Sequence, residues 1–317
     1  MKAHGPLPTV RPGEEPDLSL RIGRLVLRNP VATASGTYGK GIEFLPYYDT
    51  SRLGCIVVKT ITMQPRPGNP PPRLAEVPGG LLNSIGLPNP GVEAYIEHEL
   101  PKLRTLGAPL VINIAGHTPA EFAELAQRLE REPGIDALEL NMSCPNVSGG
   151  LDFSTSPEAA RDVVRRVRDV TARPLIAKLS PNVTDIRPIA VAAQEGGADA
   201  VSAINTLVGM AIDWRDRKPI LGRGVGGLSG PAIKPIALRM VWQLSKAVTI
   251  PIVGIGGVAT ADDAMEFLVA GASAVQVGTA NYVNPRAALH VLEGLPARFA
   301  ALGARRLADV VGTLQMP

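Results

Sequence analysis

The chain has 317 residues, 45% hydrophobic, 19% charged and 4% aromatic, and its 32 Lys+Arg against 29 Asp+Glu leave a net charge of +3. So small a charge, without a Lys/Arg run of five and with few aromatics, argues against a nucleic-acid partner or a base-stacking platform. Two cysteines, Cys55 and Cys144, and no CxxC exclude a disulfide scaffold, a thiolate zinc site and an iron–sulfur cluster held by this chain alone. No apolar run approaches the roughly 18 residues of a membrane helix. Residues 1–16 are polar and Pro/Gly-rich with no apolar signal region, so a cytoplasmic protein is expected.

In chain order, residues 1–16 read as a poorly ordered extension or a lid over the bottom of the domain. From residue 17 a short apolar run, turn residues and a helical pattern recur. The runs are 29–36 (NPVATASG), 55–62 (CIVVKTIT), 109–116 (PLVINIAG), 137–144 (ALELNMSC), 174–181 (PLIAKLSP), 200–206 (AVSAINT), 251–257 (PIVGIGG) and 274–280 (AVQVGTA). Near-continuous apolar runs suit parallel strands covered on both faces. Between them, Thr118, Pro119 and Glu121 read as a capping box, followed by a stripe of Phe122, Leu125, Ala126 and Leu129. Ser156–Pro157 opens a second helix with Val163, Val164, Val167 and Val170 as its buried stripe. Thr260 opens a third that stops at Gly271. Eight strand–helix alternations predict a closed (β/α)8 TIM barrel, an α/β fold with one domain over 17–317. The connections 63–91 and 207–231 are longer than a barrel needs, and both follow C-terminal strand ends. They are expected to cover a site on that face.

The ends of the runs are polar: Ser35, Lys59 and Thr60, Asn113, Asn141 with Cys144, Lys178, Asn205 and Thr206. Lysines and asparagines gathered at one rim predict a cavity for a polar, electron-rich, planar ligand. The seventh and eighth ends, GIGG and VGT, offer close backbone approach and an anion nest, the usual barrel site for a phosphate, which points to a cofactor such as FMN. Gly222, Gly224 and Gly227 satisfy G-x-G-x-x-G, but no clean strand precedes them, so a mobile loop is the better reading than a Rossmann site. Cys55, inside its run, reads as a small buried hydrophobe. Cys144 follows a strand in NMSCPN and has Gly149 and Gly150 nearby, a context in which a thiol can accept a proton near neutrality. The four histidines form no metal-ligand spacing.

These blocks carry a resemblance. NMSCPNV, AKLSPNVTDI, INTLVGMAIDWRDRKPIL, GGLSGPAIKP, VGIGGV and ASAVQVGTANY, in order from about residue 17 onward, resemble a class 1 dihydroorotate dehydrogenase, most closely the NAD-linked class 1B catalytic subunit. The resemblance implies oxidation of dihydroorotate to orotate in pyrimidine biosynthesis. Cys144 takes the C5 proton while hydride passes from C6 to flavin N5. It implies FMN contacts at Ser35, Lys59, Thr60, Asn113, Asn141, Lys178, Ile204, Gly230, Gly256, Gly257, Gly278 and Thr279. Substrate contacts are implied at Lys59, Asn83, Ser84, Ile85, Gly86, Leu87, Asn141, Asn205 and Thr206. Either Lys59 or Lys178 could stabilise charge at the flavin N1/O2 edge. No metal is implied on this chain. A homodimeric core is implied, joined by a second chain carrying FAD and a [2Fe–2S] cluster that passes electrons to NAD in a heterotetramer. The alternatives are a fumarate-linked class 1A enzyme and an FMN barrel acting on uracil-type pyrimidines. A phosphosugar-binding barrel without redox chemistry is the rival of another class.

Overall fold

Each of the eight apolar runs contains a strand, and the computed structural model describes residues 7–11, 13–143 and 153–317. The strands are β1 (Val31–Thr33), β2 (Ile56–Val57), β3 (Leu110–Ile114), β4 (Ala137–Asn141), β5 (Leu175–Leu179), β6 (Ala200–Ala203), β7 (Ile252–Ile255) and β8 (Ala274–Val277). All pair in parallel in the order β1-β8-β7-β6-β5-β4-β3-β2. A parallel bridge between Ala32 and Cys55 joins β1 to β2 and closes the ring. The chain therefore forms the (β/α)8 barrel that the eightfold alternation predicts.

Helices α1 (Pro119–Glu130), α2 (Pro157–Arg168), α3 (Arg187–Glu195), α4 (Lys234–Leu244), α5 (Ala261–Ala270) and α6 (Ala287–Ala301) pack outside. A helical stretch over 92–106 precedes β3. Thr118 caps α1 by accepting from the Glu121 N–H, and the four expected apolar residues are buried. The reciprocal arm differs from expectation: the Glu121 carboxylate accepts from the His117 N–H at 2.6 Å, one residue earlier than a capping box requires. In α5 the box is complete between Thr260 and Asp263, and Gly271 ends the helix at φ 121, where a side chain would be strained. In α2 Val163, Val164 and Val167 are fully buried, but Val170 lies past the helix end and is only partly covered.

Strand alternation splits the barrel interior into two layers. At the N-terminal end Ala32, Val57, Val111, Ile176 and Val253 form an apolar plug, sealed by Ile22, Leu25 and Leu27 of the hairpin Leu20–Ile22/Leu25–Leu27. Cys55 belongs to this plug, and burial pushes its thiol up to about 12, so it is the inert hydrophobe expected of it. The bottom is thus closed by the hairpin. Thr9, Val10, Glu14 and Pro16 instead border Ala300, Gly303 and Arg305 around the C-terminal end of α6.

The two long connections fold together. Their strands Leu207–Met210, Val225–Ser229, Gly80–Asn83 and Leu74–Val77 make one four-stranded antiparallel sheet over the C-terminal face, with Ala75, Leu82 and Leu221 as its own small core. This corrects the mobile-loop reading of Gly222–Gly227, where Gly227 sits in a strand opposite Asn83. A Cβ on Gly227 would lie 2.0 Å from Thr206 Oγ1, so this glycine answers a close approach within the protein, not a dinucleotide.

Candidate active site

Parallel strands that all end at one face bring their last residues together, and this geometry builds the site. One cavity of about 440 Å³ opens there, between the strand ends and the antiparallel cap. Every cofactor position expected from the sequence except Asn113, and every substrate position except Ser84, lines it. Ser84 is turned away because side chains alternate along an extended segment: Asn83 and Ile85 face the cavity, while Ser84 Oγ accepts from Asn69 Nδ2 at 3.1 Å within the cap. Asn113 lies one layer down, fully buried, and accepts from Thr60 Oγ1 at 2.5 Å. Cys144 falls outside the described residues.

Below the cavity the barrel interior is polar. Glu139, two residues before Asn141 and on the same side of β4, has no solvent exposure. Its carboxylate accepts from Asn113 Nδ2 at 2.6 Å, Gln276 Nε2 at 2.7 Å, Ser202 Oγ at 3.1 Å and Lys178 Nζ at 3.4 Å. A buried charge is tolerated only when paired and hydrogen-bonded, and Glu139 is both. Lys178 also reaches Ser35 Oγ at 3.4 Å, tying β5 to the end of β1. At the upper rim Asn205 Nδ2 donates to Asn141 Oδ1 at 3.1 Å and Asn205 Oδ1 accepts from the Thr206 N–H at 2.8 Å, so both side chains are held in place beside the cavity.

Two glycines test whether the cavity suits a flat phosphorylated cofactor. Gly36 and Gly278 line it, yet neither adopts a conformation that demands glycine, and a Cβ would meet nothing closer than 3.4 Å at Gly278 and nothing within 4 Å at Gly36. Packing does not require glycine at either place. The missing side chains enlarge the cavity, as expected where a ligand lies against backbone. Beside them Gly256 and Gly257, both at positive φ, end β7. The residues therefore fit a flat phosphorylated cofactor such as FMN: the glycines after β7 and at the β8 end could take a phosphate, and Lys178 and Thr60 line the same cavity. Gly278→Ala should fold with an unchanged ligand-free melting temperature but bind FMN at least about tenfold more weakly, read by fluorescence titration. An unchanged affinity would remove the β8 end from the cofactor site.

Residues 17–299 match the dihydroorotate dehydrogenase family. The chain belongs to that family. It is 52% identical over 302 residues to the dihydroorotate dehydrogenase B (NAD(+)) catalytic subunit of Pelobacter propionicus, covering 95% of this chain and 99% of the relative. The corresponding subunit of Trichlorobacter lovleyi is 53% identical over 302 residues, with the same coverage of both chains. That of Desulforudis audaxviator is 54% identical over 295 residues, covering 93% of this chain and 96% of the relative. Such coverage makes the site comparable across its whole length, cap included.

In this dihydroorotate dehydrogenase fold the two site lysines differ electrically. Lys178 has a carboxylate partner, whereas Lys59 Nζ has no ion pair among the described residues. Burial, and then the nearby Lys178 ammonium, hold the Lys59 pKa below its ordinary value. An anion bound beside Lys59 would relieve both effects. Glu139, Ser202 and Gln276 were not among the sequence-derived candidates. The signal for Glu139 was present, as a charge at the centre of the apolar run ALELN and two residues before a rim asparagine. Ser202 and Gln276 carry no such mark, because one polar residue within an apolar strand is common.

Proposed function

We propose that this chain oxidises dihydroorotate to orotate, with FMN in the cavity, as the catalytic subunit of an NAD-linked pyrimidine-biosynthetic enzyme in the cytoplasm. The observation that carries this reading is the convergence of Lys59, Asn83, Asn141 and Asn205 on one cavity beside the glycine-lined β8 end. Orotate has a carboxylate and ring amides, and one ammonium with several carboxamides supplies matching donors and acceptors. Lys59 is assigned the carboxylate and the asparagines the ring edges. Bound FMN supplies the acceptor for the hydride that leaves C6. Cys144 is assigned the C5 proton, so that the C5–C6 bond becomes double with electrons and protons balanced. The cap keeps water from the reacting carbons.

The B-type names of the relatives favour NAD over fumarate as final acceptor. Two cysteines cannot supply the four thiolates of a [2Fe–2S] cluster, so a second chain would carry that cluster and FAD, joined to a homodimer of this one. No described helix is long and apolar enough to cross a membrane. The test is anaerobic titration of the FMN-loaded chain with dihydroorotate, following the oxidised flavin band. Stoichiometric bleaching with release of orotate is expected. A band that stays oxidised with dihydroorotate but bleaches with dihydrouracil would overturn the substrate.

A further inference from the structure

The interior beneath the cavity holds an ionic arrangement that the substrate and cofactor positions do not explain. Three charged side chains come from three strands or their ends: Lys178 on β5 pairs with Glu139 on β4 at 3.4 Å and acts electrostatically on Lys59 after β2. The other groups facing them, Ser35, Thr60, Asn113, Ser202 and Gln276, are neutral. Glu139 is not itself part of the cavity wall, so it is not placed to bind a ligand directly. Its contacts run upward to Lys178 and, through Asn113, to Thr60, both of which do line the cavity. Placing a full carboxylate there incurs a desolvation cost that a neutral side chain would avoid.

We propose that Glu139 is a positioning residue that sets the oxidised–reduced balance of the bound flavin by neutralising Lys178 from below. This rests on the assignment of FMN to the cavity. With the pair intact, Lys178 presents a donor held between Ser35 and Glu139, and the floor carries no net charge. Lys59, which has no ion pair among the described residues, then remains for an arriving carboxylate. Reduction adds negative charge to a flavin ring, so the floor charge weighs directly on the ratio of affinities for reduced and oxidised FMN. A neutral floor keeps that ratio moderate, as a chain must that both accepts electrons from substrate and passes them on.

The local packing makes the test feasible. Gln276 Oε1 is buried without a hydrogen-bond partner among the described residues, while its Nε2 donates to Glu139. In Glu139→Gln the Gln276 amide can flip and use that free oxygen to accept from the new amide. The variant thus changes charge with little change of shape. Binding of oxidised FMN by titration, and its midpoint potential by equilibration with a reference dye, together yield both affinities. Glu139→Gln is expected to raise the reduced-to-oxidised affinity ratio by about tenfold or more, which for a two-electron couple is about 30 mV upward. Lys178→Gln, in which Glu139 keeps its three neutral donors, is expected to move the ratio the opposite way by a similar factor. The double variant should return close to wild type, because the charge sum is restored.

A purely structural Glu139 would weaken both flavin forms alike and leave the ratio unmoved. That result, or shifts of the same sign in both single variants, would overturn the proposal. If Glu139→Gln does not accumulate as folded protein, Glu139→Asp withdraws the charge by one methylene and should shift the potential upward by less, and no shift would sink the idea equally. A wild-type chain that binds no FMN at all would instead refute the cofactor assignment, a distinguishable failure.

Discussion

Cys144→Ala is expected to slow dihydroorotate-driven bleaching of the flavin by roughly 10²–10⁴-fold, the usual contribution of a general base. Orotate and FMN affinities should stay within about threefold of wild type, because a proton acceptor acts on the transition state far more than on the bound ground state. The thiolate is the reactive form, and an unperturbed thiol has a pKa near 8.5. Rates in the wild type should therefore rise with pH through the thiol ionisation, while the alanine variant loses that limb. Anaerobic stopped-flow at the flavin band measures both. A variant slowed by less than threefold would take the base role away from Cys144. This prediction rests on the sequence context of Cys144 between β4 and α2, with Asn141 of the same run placed in the cavity wall.

Lys59→Met should have two opposite effects. Orotate affinity is expected to fall about 10²-fold, from the roughly 2–5 kcal/mol that removing one partner of a buried charged contact costs. The ligand-free protein should instead become more stable, by on the order of 1 kcal/mol, because an unpaired and partly buried ammonium beside Lys178 is replaced by an apolar chain of similar size. The pH dependence has a definite sign. Since the folded pKa of Lys59 is depressed, the native chain binds fewer protons than the unfolded chain between that value and the ordinary lysine value. Stability of the ligand-free wild type therefore gains with rising pH across that window, and the methionine variant lacks this gain. Orotate binding runs the other way, weakening as pH rises through the lowered pKa, because the anion needs the ammonium. Calorimetry with and without orotate at several pH values reads both trends. A variant less stable than wild type, or with orotate affinity unchanged, would show that Lys59 is held by contacts within the protein and does not await an anion.

Much of this molecule was legible along the chain for a simple reason. A strand buried on both faces must be apolar throughout, so a polar residue at its end stands out. Eight such runs give the barrel, and their ends give Lys59, Asn141, Lys178 and Asn205 from residue order alone. Glycine works similarly at the β7 and β8 ends, where Gly256, Gly257 and Gly278 line the cavity. That the two long connections cover this face was legible from their length and position, but their pairing into one sheet was not. Its strands come from segments more than a hundred residues apart, are short, and contain Gly80, Gly209, Gly226 and Gly227, so no local period marks them. Pairing of Asn83 with Gly227 arises only when both connections meet over the same barrel face.

The sequence by itself determined the barrel, the rim and the family, because each of those is written in short-range pattern and residue type. Only the tertiary structure decided which rim residues face the cavity and which serve it from behind. Asn113 and Lys178 end equivalent runs, yet one lies sealed beneath Thr60 and the other reaches the cavity. It also decided that Lys178 is neutralised and Lys59 is not. That difference depends on Glu139 and its four donors converging from strands β3, β4, β5, β6 and β8, and a charge's environment is set by what surrounds it in space, which residue order does not record.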